Sequence, residues 1–126
     1  MESQKNLHEQ IGNAWDVYKK CLPGVARAYD ELPMEVYRDG ALPGKIKRLM
    51  ALTGALVHGC RACILFQTEK SLAAGATVEE VLEACSVAIS LGGTMGAGET
   101  TRVVRFMEEK GLLLKVNERK TTGEKK

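Results

Sequence analysis

The sequence lacks an excess of either charge. Lys and Arg number 18 and Asp and Glu 16 in 126 residues, a formal +2, which excludes the broad basic surface that general polyanion binding needs. No nucleic-acid partner is expected. Even the +2 belongs to the end of the chain: residues 117–126 carry Arg119, Lys120, Lys125 and Lys126 against Glu118 and Glu124, so residues 1–116 are neutral. An uninterrupted apolar run of the roughly 18 residues a membrane span requires is also missing. The opening Met1-Glu-Ser-Gln-Lys-Asn6 is polar, so neither a membrane partner nor an export signal is expected. No convincing strand pattern, internal repeat or low-complexity segment is present; Leu112 to Val116 is the one strand candidate, and it is short and isolated. Without an export signal, the four cysteines are expected in a reducing cytoplasm. There, a CxxC spacing is more often redox-active or metal-binding than a structural staple.

What is present is helical periodicity. Leu7, Ile11, Ala14, Tyr18, Cys21 and Leu22 recur at three- and four-residue steps until Pro23-Gly24. Val25, Ala28, Tyr29 and Leu32 repeat the pattern as far as Pro33, and Arg38 to Gly44 reads as a loop. Ile46, Leu49, Met50, Thr53, Leu56 and Val57 mark a third stripe that runs on through Cys60, Cys63, Ile64 and Gln67, with Gly75 at the expected C-cap. Thr77-Val-Glu-Glu80 has the capping-box form, and Val78, Val81, Leu82, Cys85, Ala88 and Ile89 follow it. Glycines between Gly92 and Gly98 then precede a last helix with Val103, Val104 and Met107, ended by Gly111. The pattern predicts an all-α bundle of about six helices, one domain over residues 1–116, and a disordered tail over 117–126.

Cys60-Arg61-Ala62-Cys63 sets two thiols at i and i+3, on one helix face and within disulfide reach. Residues 40–68 contain Lys45, Lys47, Arg48 and Arg61 and no acid, while residues 71–101 contain Glu79, Glu80, Glu83 and Glu99 and no base. The cysteines therefore lie in a +4 block opposed by a −4 block, an arrangement that favours head-to-tail association between copies. Positive neighbours and a helix start both favour the thiolate, the reactive form. The competing readings are a buried pair packed as small hydrophobes and a zinc site. The latter is poorly supplied with ligands, since only His58 is near and His8, Cys21 and Cys85 belong to other helices. Cys21 and Cys85 fall on apolar stripes and are expected in the core. His58 can relay a proton for Cys60 or simply face solvent at a helix end. The run Gly92 to Gly98 is not a nucleotide loop, for it lacks the GxGxxG order, a GK[ST] and a leading strand. Close packing of two helices or an interhelical turn is the better reading.

The stretch from Leu42 to Met107, with Lys45-Ile-Lys-Arg-Leu-Met-Ala-Leu52, the Gly-Cys-Arg-Ala-Cys63 pair, Ala74-Gly-Ala-Thr-Val-Glu-Glu-Val81 and Leu91-Gly-Gly93, resembles the alkyl hydroperoxidase D-like, or carboxymuconolactone decarboxylase, family. The resemblance implies an all-helical fold with the CxxC helix at a subunit interface, and assembly into homotrimers or homohexamers. It also implies peroxidase or thiol-disulfide oxidoreductase activity where the cysteines are kept, with Cys63 attacking peroxide and Cys60 resolving. The family's relay glutamate and histidine fall on Arg48 and Gln67, and a further histidine found in some members falls on Ala62. Neither Arg48 nor Gln67 can serve as a base at neutral pH, so thiolate chemistry here would rest on the field of Arg48 and Arg61. The expectation is a CxxC thiol-disulfide oxidoreductase with weak alkylhydroperoxidase activity, working on a peroxide or disulfide with a thiol or dithiol reductant, and needing no cofactor or metal. Its candidate site residues are Cys60, Cys63, His58, Arg48, Arg61 and Gln67. The alternatives are a binding or assembly protein that has lost the chemistry, and a lyase holding a lactone acid through Lys45 and Arg48.

Overall fold

A computed structural model describes residues 1–113 as five helices: α1 (Gln4–Cys21), α2 (Pro23–Val36), α3 (Gly44–His58), α4 (Arg61–Ala73) and α5 (Val78–Glu109). The expected end of the domain at residue 116, the expected tail and most of the strand candidate lie outside the described residues. Leu112 and Leu113, which are described, form no strand.

The count is five rather than about six because the interruption expected between Gly92 and Gly98 narrows to one residue. Gly93 alone leaves helical geometry, at φ 58° and ψ −134°. A Cβ built on Gly96 would stand 2.7 Å from the Ala88 carbonyl oxygen and 3.1 Å from the Ile89 Cα. In a straight helix, residues eight apart lie about 12 Å apart along the axis. The chain therefore turns back at Gly93, and two arms, 78–92 and 94–109, pack through the bare Gly96 backbone. Taken whole, α5 has the length and apolar content of a membrane-crossing helix. Divided at Gly93, each arm is about 24 Å long or less, short of a hydrocarbon core of about 30 Å.

Both arms feed one core. Leu52, Ala55 and Leu56 from α3 and Ile64 from α4 meet Val81, Cys85 and Ala88 from the first arm and Val103 and Met107 from the second. The thiol of Cys85, buried there, is pushed up to about 11 by desolvation. Thr77 and Glu80 close the capping box expected at the start of α5, at 3.0 and 2.9 Å. Its hydrogen bonds with Thr77 and Lys45 hold the Glu80 carboxyl below the usual carboxylate value. Pro33, expected to end α2, lies inside it, and the helix continues to Val36. Without an N–H, Pro33 cannot bond the Tyr29 carbonyl, so one backbone bond is lost, and the helix runs on for about one turn more.

The α1–α2 pair departs further from expectation. The first half of α1 is anchored on the core: Gln4 is fully buried and accepts a hydrogen bond from Arg102 at 3.2 Å. His8 meets Glu69 at 3.0 Å and sits edge-on to Phe106. The second half extends away, and α2 packs on α1 and, apart from a Lys47 hydrogen bond at its C-terminus, on no other helix among the described residues. Ala26 is the sole buried residue of α2, while Tyr18, Leu22, Val25, Tyr29 and Leu32 are exposed. Cys21, expected in the core, is exposed for the same reason: among the described residues its stripe has nothing beneath it.

Glu109 at the end of α5 caps α1 from a distance, its Oε1 accepting the Gln4 and Lys5 backbone N–H groups at 2.9 Å each. Burial pushes its carboxyl up, but hydrogen bonds from Lys5, Ser3 and Gln4 and the nearby Arg105 outweigh that and hold it below the usual value. A carboxyl depressed by folding stabilises above its unfolded value, and the gain is lost as pH falls through the folded one. Glu109→Gln is therefore expected to cost about 1 kcal/mol at neutral pH, as lost caps do. Urea unfolding should show that gap closing in acid; a gap that persists or widens there would contradict the capping role.

Candidate functional site

Cys60 occupies the joint between two helices. α3 ends on Gly59, whose φ of 78° suits a residue without a Cβ, and the Gly59 and Cys60 N–H groups bond the Ala55 carbonyl at 2.9 and 3.1 Å. Cys60 is then the N-cap of α4: its carbonyl accepts from Ile64 at 2.8 Å and its Sγ from the Cys63 N–H at 3.2 Å. A sulfur at this position faces free amides at the positive end of the helix dipole, which favours its thiolate. Cys63 lies in the first turn, exposed, with its Cα 5.2 Å from that of Cys60 and the two sulfurs at bonding distance. That separation is in the range disulfides require. The pair is joined, with Cys60 half-buried and capping α4 through its sulfur and Cys63 exposed.

The other expected residues separate. His58 ends α3 exposed and makes no hydrogen bond among the described residues, so nothing ties it to Cys60. Arg61 turns toward the chain start, with Nη1 3.8 Å from Glu2. Arg48 and Gln67 do meet: Arg48 Nη1 donates to Gln67 Oε1 at 3.2 Å, bridging α3 and α4. Gln67 follows Cys63 by one helical turn and shares its face. The arginine has a support that spacing did not reveal, since Tyr37, after α2, lies under the guanidinium with its ring centre 3.6 Å away. The loop that delivers Tyr37 is held by Gly44, whose N–H donates to Asp39 at 2.6 Å and where a Cβ would meet the Tyr37 carbonyl oxygen at 2.7 Å. Met95, just past the α5 turn, was also missed; its Sδ would stand 3.8 Å from a Cβ on Gly59. Neither residue has a local sequence signal, because each arrives from a different element.

Two of the four charges of the expected +4 block, Lys45 and Arg61, meet carboxylates inside the chain. Lys45 pairs with Glu80 at 3.1 Å, joining the two charge blocks within one copy. Lys47 donates to the carbonyls of Val36 and Arg38 at 3.0 and 2.7 Å and so caps α2. Of the opposing block, Glu99 is taken by Arg102 at 2.9 Å. Lys45, the other basic residue considered for holding a lactone acid, thus already has a carboxylate. An open groove of about 510 Å³ between α1 and α2 is lined by residues such as Lys19, Arg27 and Met34 and includes none of the site residues.

The arrangement can close and open a dithiol, with a cation and an amide one turn away, and comparisons with known proteins place the chain in a family. An uncharacterised protein of Cupriavidus necator is 27% identical over 99 residues, covering 79% of this chain and 88% of its own. The crystal structure of apo-lpg0406, a carboxymuconolactone decarboxylase family protein of Legionella pneumophila, superposes with a TM-score of 0.79 at 26% identity, over 86% of this chain and 97% of that one. A protein of the same family from Thermotoga maritima, for which an antioxidative role has been suggested, matches with a TM-score of 0.70 at 27% identity, over 94% and 96%. The sequence itself matches the family across residues 23–105, from the first residue of α2 through the CxxC joint into the second arm of α5. The chain belongs to the carboxymuconolactone decarboxylase family.

Proposed function

We propose that the protein is a dithiol-disulfide oxidoreductase working through Cys60 and Cys63, with weak peroxidase activity toward alkyl hydroperoxides. The observation that carries this reading is the unequal pair: Cys60 capping α4 through its sulfur, Cys63 exposed in the first turn. In exchange, an incoming thiolate attacks the more accessible sulfur, and the sulfur better stabilised as an anion leaves. Both criteria select Cys63 as the sulfur that meets the partner and Cys60 as the leaving or resolving group.

With a hydroperoxide, the Cys63 thiolate takes the distal oxygen and the O–O bond breaks. The alkoxide gains a proton and departs as the alcohol, and sulfur becomes a sulfenic acid. Cys60 then displaces the sulfenic oxygen as water and forms the disulfide, which an external thiol or dithiol returns to two thiols while itself becoming oxidised. No side chain at the Arg48 and Gln67 positions can take the first proton, so peroxide reduction is slow. Exchange needs mainly a thiolate and access, and is the main activity.

The working form is a homotrimer or homohexamer in a reducing compartment such as the cytoplasm. The uncovered stripe along α1 and α2 supports assembly, since exposed apolar area of that extent commonly marks an interface.

Thiol alkylation before and after treatment with a disulfide or peroxide, followed by mass measurement of the peptide holding both cysteines, tests the reading. A Cys60–Cys63 disulfide that forms and is reversed by dithiol is the expected result. A pair that stays alkylatable throughout would leave the fold without this chemistry.

A further inference from the structure

Four cations surround the dithiol in sequence: Lys45 and Arg61 pair with carboxylates, while Lys47 and Arg48 have only neutral oxygens, two backbone carbonyls for Lys47 and the Gln67 amide for Arg48. Of the latter two, Arg48 keeps more donors free. It is half-buried, and among the described residues no carboxylate lies within ion-pair distance of it. Its ring of donors is used once, by Gln67. One flat face is covered by Tyr37 at 3.6 Å, which fixes the plane of the guanidinium. The remaining N–H groups, and the amide N–H₂ of Gln67 beside them, have no partner among the described residues. A partly desolvated guanidinium with a fixed plane and free donors is what a planar oxyanion binds best, in a two-pronged contact that a flexible ammonium cannot copy. Gln67 stands one turn beyond Cys63 on the same face, about 6 Å further along the helix axis, which sets the scale of the gap between this anchor and Cys63.

We propose that Arg48, positioned by Tyr37 and Gln67, receives the carboxylate of an anionic substrate, so that the disulfides or hydroperoxides handled here carry a carboxylate about one helical turn from the reacting S–S or O–O bond. The substrate class rests on the dithiol reading above. The anion receptor is a separate physical claim and is tested separately.

The kinetic test uses fully reduced protein and two chromogenic disulfides, dithiobis(nitrobenzoate), which bears a carboxylate on each ring, and dithiodipyridine, which bears none. With either probe the Cys63 thiolate breaks the S–S bond and releases one thiolate or thione. Cys60 then attacks the mixed disulfide and releases the other, leaving the protein oxidised and the probe reduced. Because Arg48 also contributes to the field at the thiolate, the informative quantity is the ratio of the two rates, in which that contribution cancels. Arg48→Gln is expected to lower the ratio of carboxylated to neutral probe by about tenfold, the low end of what a charge-assisted hydrogen bond supplies. Arg48→Lys, which keeps the charge and loses the fork, should fall between. A ratio within about twofold of the parent in Arg48→Gln, or a parental ratio in Arg48→Lys, overturns the receptor.

A measurement on the unaltered, oxidised protein guards against a variant that fails to fold. Titration with benzoate should give saturable shifts of the Gln67 side-chain amide and Tyr37 ring resonances, and their absence overturns the receptor. A dithiol that cycles without preference for the carboxylated probe removes the receptor alone. An inert dithiol with intact benzoate binding removes the oxidoreductase reading alone.

Discussion

Cys63→Ser is expected to lower both disulfide exchange and hydroperoxide consumption by about two orders of magnitude or more, as loss of a nucleophile does. Cys60→Ser should behave differently. Its Cys63 can still attack once, so a single equivalent of probe thiol is released and the mixed disulfide or sulfenic acid accumulates on Cys63, where intact mass would find it. The asymmetry follows from position: one sulfur is exposed in the first turn, while the other accepts the Cys63 N–H at 3.2 Å and is half-buried at the end of α3. If instead Cys60→Ser abolishes the first release and Cys63→Ser preserves it, the roles are reversed, and the helix cap activates the attacking sulfur rather than stabilising the leaving one. Equal, parental activity in both variants would remove the cysteines from the chemistry altogether.

The second large effect concerns the α5 turn. Gly96→Val would place a Cβ 2.7 Å from the Ala88 carbonyl oxygen and 3.1 Å from the Ile89 Cα. Both obstacles are backbone, which cannot rotate aside as a side chain can. The arms would have to separate, and with them Ala88 and Val103, which belong to the same core cluster. The expected loss is about 3 kcal/mol, the upper part of the range for overpacked cores. It would be read as a lower urea midpoint at fixed protein concentration, because oligomer formation makes apparent stability concentration-dependent. Gly98→Ala is the control: a Cβ there meets nothing within 4 Å, and replacing glycine in a helix by alanine is neutral or stabilising. Equal midpoints for the two variants would mean that the arms are not packed through Gly96.

Much of this organisation was legible along the chain. The Thr77–Glu80 box, Gly75 and Gly111 at helix ends, the Arg38–Gly44 connection and the apolar spacing of α3 and of the first arm of α5 are local matters. They are settled by a few neighbouring residues and by the helical period. So were the CxxC spacing and the absence of a titrating group at positions 48 and 67. The misjudged features are those in which spacing says nothing about what lies opposite. The stripe of α1 is as regular as that of α3. It predicted a buried Cys21, but burial depends on a second surface being present, and beyond its anchored first half α1 has, among the described residues, only α2 beside it. Pro33 has the properties of a helix terminator, yet α2 carries on to Val36 past the one backbone bond that the ring removes.

Charge was the least legible property. Counting along the chain yields a +4 block around the cysteines and a −4 block after it, and a linear count cannot say whether the two touch. The fold joins Lys45 to Glu80, turns Lys47 onto the end of α2 and Arg61 toward Glu2, and leaves Arg48 on Tyr37 beside Gln67. By itself, then, the sequence determined the helical class, the dithiol and the missing base, because propensity, capping and side-chain chemistry act over a few residues. Only the tertiary structure decided which cysteine caps α4, which stripe is uncovered among the described residues and which cation near the dithiol keeps most of its donors free there. Each of those depends on groups far apart in the chain being brought within a few ångströms.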